Sequence, residues 1–205
     1  MGITIYYKGT LNDLTQLDRL KDELIDIAKT LKWDWDELDE DFTKPASAHL
    51  IVNGQSAKIK GHLPLKGISL KLHPNCETFN LYFDKKGNLT SPLHFILIQE
   101  KRIDPEKAYL SVKTQFAPPE IHIAIIRLLR FLKKRYINDL KVFDDGGYWK
   151  TSDLQGLLYR LQMINQAMDR IEQALSEITL KRNEQLTLDK LEKLIEEKLN
   201  KRSRN

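Results

Sequence analysis

Apolar residues recur along this chain with two different periods, and each period predicts one kind of secondary structure. Near the start they return every three or four residues from Leu14 to Leu31, which predicts an amphipathic helix over residues 13–31. Between residues 46 and 116 they alternate with polar residues in short runs separated by turns, which predicts several strands. Residues 3–7 alternate in the same way and predict an N-terminal strand.

Turn-forming residues divide the middle of the chain into closely spaced segments. Asn53-Gly54 and the run from Asp84 to Asn88 are typical of hairpin turns. The predicted strands occupy residues 49–52, 57–60, 66–72, 79–83 and 95–98, and an acidic, solvated strand begins near Trp33. Short strands joined by tight turns predict an antiparallel meander within one sheet.

The stretch from Ala108 to Trp149 contains the most apolar helix that the pattern predicts. A strand over residues 109–116 ends at Pro118 and Pro119, because proline cannot donate a hydrogen bond to a strand ladder. Helical spacing of apolar residues then continues to Tyr136, and a short strand is predicted at residues 140–143. This helix is therefore the expected centre of the core.

After Ser152 the strand pattern gives way to a heptad pattern. Apolar residues are spaced alternately by three and four, at Leu154, Leu157, Leu161, Ile164, Met168, Ile171, Leu175 and Ile178. A further helix is predicted from Thr187 onward. Because an isolated amphipathic helix is marginal in water, the seam needs a partner surface. It could fold back within the chain, but the pattern favours a homodimer through residues 152–181.

Together these patterns predict an α+β fold. A largely antiparallel sheet packs against two helices, one before and one after the strand meander, and a heptad-patterned helical extension follows. The predicted domains are an α+β domain at residues 1–149 and a helical C-terminal extension at residues 150–205.

Composition indicates the cellular compartment and the class of partner, but it does not indicate an activity. The 205 residues carry 33 basic and 29 acidic side chains, a mild and interspersed excess that does not favour a nucleic-acid partner. Cys76 is the single cysteine, which excludes an internal disulfide and fits a reducing compartment. The sequence has no signal-peptide pattern and no apolar run of about 20 residues, so we expect a cytoplasmic protein without a membrane partner.

The two ends of the central helix carry the polar groups most suited to a ligand. His122 is a possible general base, and a helix N-terminus attracts anions. Paired glycines after two aspartates would present two aromatic rings near the same site. The candidate pocket comprises Lys113, Gln115, Glu120, His122, Asp144, Asp145, Tyr148 and Trp149. The alternative is a capping glutamate, a satisfied buried histidine and two aromatic residues that fill a joint in the fold.

A second, weaker candidate is a metal site. His73, Cys76 and Glu77 place three ligand types within one turn. The same residues also fit an ordinary turn in which the cysteine is a small apolar filler.

A third candidate is the basic cluster on the central helix. Arg127, Arg130, Lys133, Lys134 and Arg135 could contact phosphates, but the helix dipole also favours positive charge at this end.

The sequence has no Walker loop, dinucleotide glycine pattern, nucleophile elbow or HExxH helix, and it implies no particular cofactor. The leading hypothesis is a cytoplasmic binding or assembly protein that self-associates through its C-terminal helices. The alternatives are a small-molecule enzyme or ligand sensor that uses the pocket at the central helix, and a nucleic-acid binder that uses the basic helix face.

Overall fold

The computed structural model describes residues 2–54 and 56–176, which form helices and antiparallel sheets. The strands are β1 Thr4–Lys8, β2 Asp34–Asp39, β3 His49–Asn53, β4 Ser56–Lys60, β5 Leu65–Lys71, β6 Phe79–Asp84, β7 Leu89–Thr90, β8 Leu110–Lys113 and β9 Lys141–Asp144. The α-helices are α1 Leu17–Leu31, α2 Pro92–Gln99, α3 Pro119–Arg135, α4 Tyr148–Thr151 and α5 Leu154–Ser176. The predicted α+β class is therefore confirmed.

The strands divide into three sheets over the described ranges, whereas the sequence predicted one. The orders are β8-β1-β9, β2-β5-β6-β7 and the hairpin β3-β4, and every pairing is antiparallel. The first strand of the chain lies between two strands that come more than a hundred residues later, with Ile5 opposite both Val112 and Asp144. This long-range pairing brings the end of β8 and the end of β9 to the same region.

The three-stranded and four-stranded sheets are joined by a buried tyrosine. The Tyr7 hydroxyl donates to the Asn80 carbonyl at 2.7 Å and accepts from the Asn80 N–H at 3.2 Å. Burial raises the pKa of Tyr7 far above its ordinary value, so the hydroxyl stays protonated and can donate. One side chain on β1 thereby satisfies both backbone groups of a residue on β6.

The two long helices bury one face each in a shared core. Helix α1 buries Leu17, Leu20, Leu24 and Ala28, and α3 buries Ile125, Ile126, Leu128, Leu129 and Leu132. They pack in one cluster with the apolar face of β6, made by Phe79, Leu81 and Phe83. The prediction that the α3 helix is central to the core is borne out by this burial.

Three local predictions were wrong. Residues 95–98 belong to helix α2, because Ser91 caps the His94 N–H and Pro92 occupies the first helical position. Helix α1 begins at Leu17 rather than at residue 13; Asp13 instead caps a preceding 3₁₀ turn. Strand β8 ends at Lys113, so the alternation predicted for residues 109–116 stops there. Beyond Lys113 the prediction is reversed: Gln115 is buried and Phe116 is 56% exposed.

The chain separates into two compact units, Gly2–Leu154 and the residues from Gln155 onward. In the second unit the described residues belong to helix α5. The predicted helix after Thr187 lies outside the described residues. Within the described residues, no helix is both long enough and apolar enough to span a membrane.

Candidate functional site

Three polar side chains meet at the N-terminal end of α3. The His122 Nδ1 lies 2.8 Å from the Thr114 hydroxyl at the end of β8, and its Nε2 lies 3.2 Å from Asp144 Oδ1 at the end of β9. The approach to Asp144 is bent away from a linear hydrogen bond. Because a carboxylate only accepts, the nitrogen that faces it carries a proton. The histidine therefore connects two strands of the same sheet.

Asp144 is held as a carboxylate by this environment. Burial alone would raise its pKa, but the His122 side chain and the N–H groups of Trp149 and Gly146 outweigh burial and lower that pKa. These N–H groups donate to Asp144 at 2.8 and 2.7 Å, respectively. The acidic glycine turn thus folds around its own first carboxylate.

A hydroxyl, an imidazole and a carboxylate in a row can serve acid–base chemistry, but here the row is closed to solvent. Thr114 and the side chains of His122 and Asp144 are each 1% exposed. A substrate could not reach a group buried to this extent without local opening. The arrangement in this conformation stabilises the junction of β8, α3 and β9.

The other predicted pocket residues are spread around this junction rather than gathered in one cavity. Asp145 accepts from the Thr4 N–H at 3.2 Å, and Glu120 is exposed in the first turn of α3. Lys113 lies over the Phe116 ring, with Nζ 5.0 Å from its centre. Gln115 is 3% exposed, and neither the amide nitrogen nor the amide oxygen has a hydrogen-bond partner among the described residues. Sequence reasoning missed Thr114, since it lay beyond any recognised motif.

Tyr148 and Trp149 contact Arg130 instead of a ligand space. The guanidinium carbon of Arg130 lies 5.9 and 5.7 Å from the two ring centres. Its Nη2 donates to the carbonyls of Tyr148 and Trp149 and to the Ser152 hydroxyl, at 3.2, 2.8 and 2.9 Å. Both rings also pack against the core as partly buried residues. These contacts favour a structural role for the two aromatic residues.

Replacing Arg130 by alanine is expected to lower the free energy of unfolding by about 2 kcal/mol, because hydrogen bonds from a charged donor are worth about 1.5–3 kcal/mol. Guanidinium chloride unfolding of the purified variant measures this difference. The control is Arg127→Ala, an exposed arginine on the same helix that has no hydrogen bond or ion pair with the described residues, with an expected change within about 0.5 kcal/mol. Equal losses in both variants would contradict the structural role.

The rest of the basic cluster is also largely engaged within the domain. Arg135 pairs with Glu23 on α1 at 2.9 Å, and Lys133 donates to the Leu140 carbonyl at 2.7 Å. Arg127 and Lys134 are exposed. A nucleic-acid backbone is bound by many phosphate contacts together, and two separated cations provide few of them.

The candidate metal residues take part in local backbone bonding. His73 Nδ1 accepts from the Asn75 N–H at 3.1 Å, and Glu77 accepts from the Lys113 N–H at 2.7 Å. Burial, with a smaller contribution from Glu77, raises the pKa of Cys76 to about 11, which disfavours the thiolate that metals bind. In the described part of the chain, no three His, Cys, Asp or Glu side chains are placed to share a metal ion.

Helix α5 carries apolar residues on more than one face. Within the seam, Leu157 and Leu161 are buried, whereas Met168 is 41% exposed and Ile164 and Ile171 are partly exposed. The exposed apolar positions along the helix are Leu154, Leu158, Tyr159, Met163 and Met168. The later part of the seam therefore leaves apolar surface in contact with water in a single chain.

Comparison with known proteins gave no match to a protein-family model, a curated protein or a solved structure.

Proposed function

We propose that this chain is an assembly protein that forms a homodimer through the heptad seam of α5, within residues 152–181. The observation that carries the proposal is the seam beyond Leu161, which keeps the heptad pattern while Ile164 and Ile171 are partly exposed and Met168 is 41% exposed. The heptad seam of a second copy has the same apolar repeat and can therefore cover these side chains.

The seam supplies the apolar a and d positions of a coiled coil. With Leu154 as the first a position, the next a positions are Leu161, Met168 and Leu175, and the d positions are Leu157, Ile164 and Ile171. Leucine at a with isoleucine at d favours three or four strands over two in parallel coiled coils, so a larger oligomer is the alternative outcome of the mass measurement. The last d position of the seam, Ile178, lies outside the described residues.

The buried start of the seam limits where the second copy can pair. Leu157 and Leu161 are already buried within one chain, at 0% and 6% exposure. Pairing between copies therefore involves the residues from Ile164 onward. Each isoleucine buried on pairing contributes about 1.5–3 kcal/mol, so a few such positions decide whether the dimer forms.

The protein is proposed to work in the cytoplasm. Cys76 is buried with a raised pKa, which suits a protein kept in a reducing compartment without disulfides.

Replacing Ile164 and Ile171 by lysine is expected to convert the dimer to a monomer. Two buried contacts are lost from each copy and like charges face one another, which weakens association more than a hundredfold. Light scattering coupled to size-exclusion chromatography, across a series of protein concentrations, measures the mass of each form.

The control is Met163→Lys, which adds a charge at a 48% exposed position on the opposite side of the same helix. This variant is expected to remain dimeric. A wild-type chain that is monomeric at high concentration, or a control that dissociates as completely as the double variant, contradicts the proposal.

The orientation of the two copies is tested separately with Ile171→Cys. In a parallel dimer the two cysteines at a d position face each other and form a disulfide on mild oxidation, whereas in an antiparallel pair they lie apart. The native Cys76 is 8% exposed and serves as an internal control, because the wild-type chain should stay uncrosslinked under the same oxidation.

A further inference from the structure

A cavity of about 670 Å³ lies away from the His122 junction, within the unit formed by residues 2–154. Its walls come from the end of β1, the β6–β7 turn, helix α2, the loop at residues 44–46 and the turn at Pro105. Cavities that hold small molecules commonly enclose about 300–1,000 Å³, so the space suits a ligand of moderate size.

Backbone hydrogen bonds fix the base of this cavity. The Leu89 N–H donates to the Gly9 carbonyl at 2.9 Å, and the Leu11 N–H donates to the Gly87 carbonyl at 2.8 Å. These bonds join the chain after β1 to the β6–β7 turn, and Thr10 forms a bridge with Asn88. The base is therefore set by the fold before any ligand arrives, which lowers the entropic cost of binding.

The cavity combines apolar walls with a positive lining. Leu89, Phe95 and Ile98 contribute apolar surface. The basic side chains in the lining are Lys8, Lys44, Lys85, Lys86 and Lys141, against the acidic Asp84, Glu106 and Asp139.

The acidic groups are occupied by the protein itself. Asp84 accepts from the N–H groups of Lys86 and Asn88, at 2.8 and 2.9 Å, and Asp139 accepts from the Thr10 N–H at 2.8 Å. Glu106 pairs with Lys8 at 3.1 Å. The carboxylates therefore stabilise turns and one lysine, and five lysines against three carboxylates leave the lining with an excess of two positive charges.

Three lysines of the lining have no acidic partner within the described residues: Lys85, Lys86 and Lys141. A fourth, Lys44, pairs with Asp41 at 3.6 Å in an exposed position, where ion pairs contribute little. Several like charges around one space repel one another, and an anion in that space relieves the repulsion. Lysine acts on phosphate as a point charge, and a phosphate group can accept from several lysines at once.

We propose that this cavity binds a small organic phosphate of about mononucleotide size. The phosphate lies among Lys85, Lys86 and Lys141, and the apolar or aromatic body lies against Leu89, Phe95 and Ile98. The proposal goes beyond self-association, since the lining residues belong to the 2–154 unit and none belongs to α5.

Isothermal titration of the full chain with AMP tests the proposal, and adenosine and inorganic phosphate serve as separate arms. AMP is expected to bind at least tenfold more tightly than either fragment, with an affinity that falls as salt is added. The variant Lys85→Gln/Lys86→Gln/Lys141→Gln is expected to bind AMP at least tenfold more weakly.

The matched control is Lys58→Gln/Lys71→Gln/Lys134→Gln, which removes the same charge from exposed positions outside the cavity. Its affinity for AMP should stay within twofold of the wild type. A second variant, Ala46→Trp, fills the cavity from a half-buried position in its lining and should abolish binding while the circular dichroism spectrum is retained.

Each remaining outcome overturns the proposal. Adenosine binding as tightly as AMP removes the role of the lysines, and inorganic phosphate binding as tightly as AMP removes the role of the apolar walls. No AMP binding at millimolar concentration, or equal loss in the control triple variant, overturns the site itself.

Discussion

Replacing His122 by alanine is expected to lower the free energy of unfolding by about 3–5 kcal/mol, because it removes one partner of a buried carboxylate and leaves a cavity in a closed junction. The Asp144 carboxylate, with a side chain only 1% exposed, would lose the ring that approaches it at 3.2 Å. The Thr114 hydroxyl would lose its 2.8 Å contact in the same variant. Equilibrium unfolding in urea, followed by tryptophan fluorescence, measures the loss.

The control for this prediction is Glu120→Ala, two residues away at the exposed start of the same helix. Its expected cost is less than about 1 kcal/mol, which is the size of a favourable interaction with the helix dipole. A double variant that combines His122→Ala with Asp144→Asn should lose less than the sum of the two single losses, because both remove the same contact. Additive losses would show that the two side chains act independently.

The lowered pKa of Asp144 also sets the direction of a pH dependence. A carboxyl group with a folded-state pKa below its unfolded value, about 3.9, stabilises the fold above that value. The contribution is lost as the pH falls from about 3.9 through the folded-state pKa. The stability difference between the wild type and Asp144→Asn should therefore be full at neutral pH and shrink in strong acid.

Replacing Gly67 by alanine is expected to lower the free energy of unfolding by about 4 kcal/mol. Gly67 lies in the middle of β5 with φ of +148°, a conformation that side chains rarely adopt. A Cβ built there would lie 2.0 Å from the Leu81 carbonyl oxygen and 2.8 Å from the Tyr82 Cα. Both atoms belong to the backbone of β6, so relief requires the two paired strands to separate.

A matched glycine separates the steric cost from the conformational one. Gly54 also has a positive φ, +60°, but a Cβ there would meet nothing within 4 Å. Gly54→Ala should therefore cost only about 1–2 kcal/mol, from the left-handed backbone alone. Thermal and urea unfolding of both variants provide the comparison, and similar losses at the two glycines would argue against the β5–β6 clash.

Hydrophobic periodicity determined most of the local structure. The helical spacing after Leu17 and after Pro119, and the alternation of Phe79, Leu81 and Phe83, each correspond to a helix or strand, because one buried face imposes its own period on the sequence. Residues 95–98 were the exception. Their short apolar run fits a strand or a helix. The helix forms because Ser91 caps it and Pro92 occupies its first position.

The candidate site was predicted only in part. His122 and Asp144 were placed in one group, and the structure brings them together, while Thr114 joins them because β8 stops at Lys113. Arg130 was assigned to a basic surface but instead holds the backbone of Tyr148 and Trp149. A side chain's partner depends on which distant segments lie next to it, and residue type alone does not contain that information.

The sequence by itself determined the α+β class, the helical periods and the heptad seam, since these follow from local spacing and burial of one face. Only the tertiary structure decided that β1 lies between β8 and β9 and that the strands separate into three sheets. The lysine-lined cavity also depends on the tertiary structure, because its walls come from segments that are distant in sequence, between residues 8 and 141. Contacts over such separations are selected by the packing of the whole chain, where many weak local preferences are satisfied together.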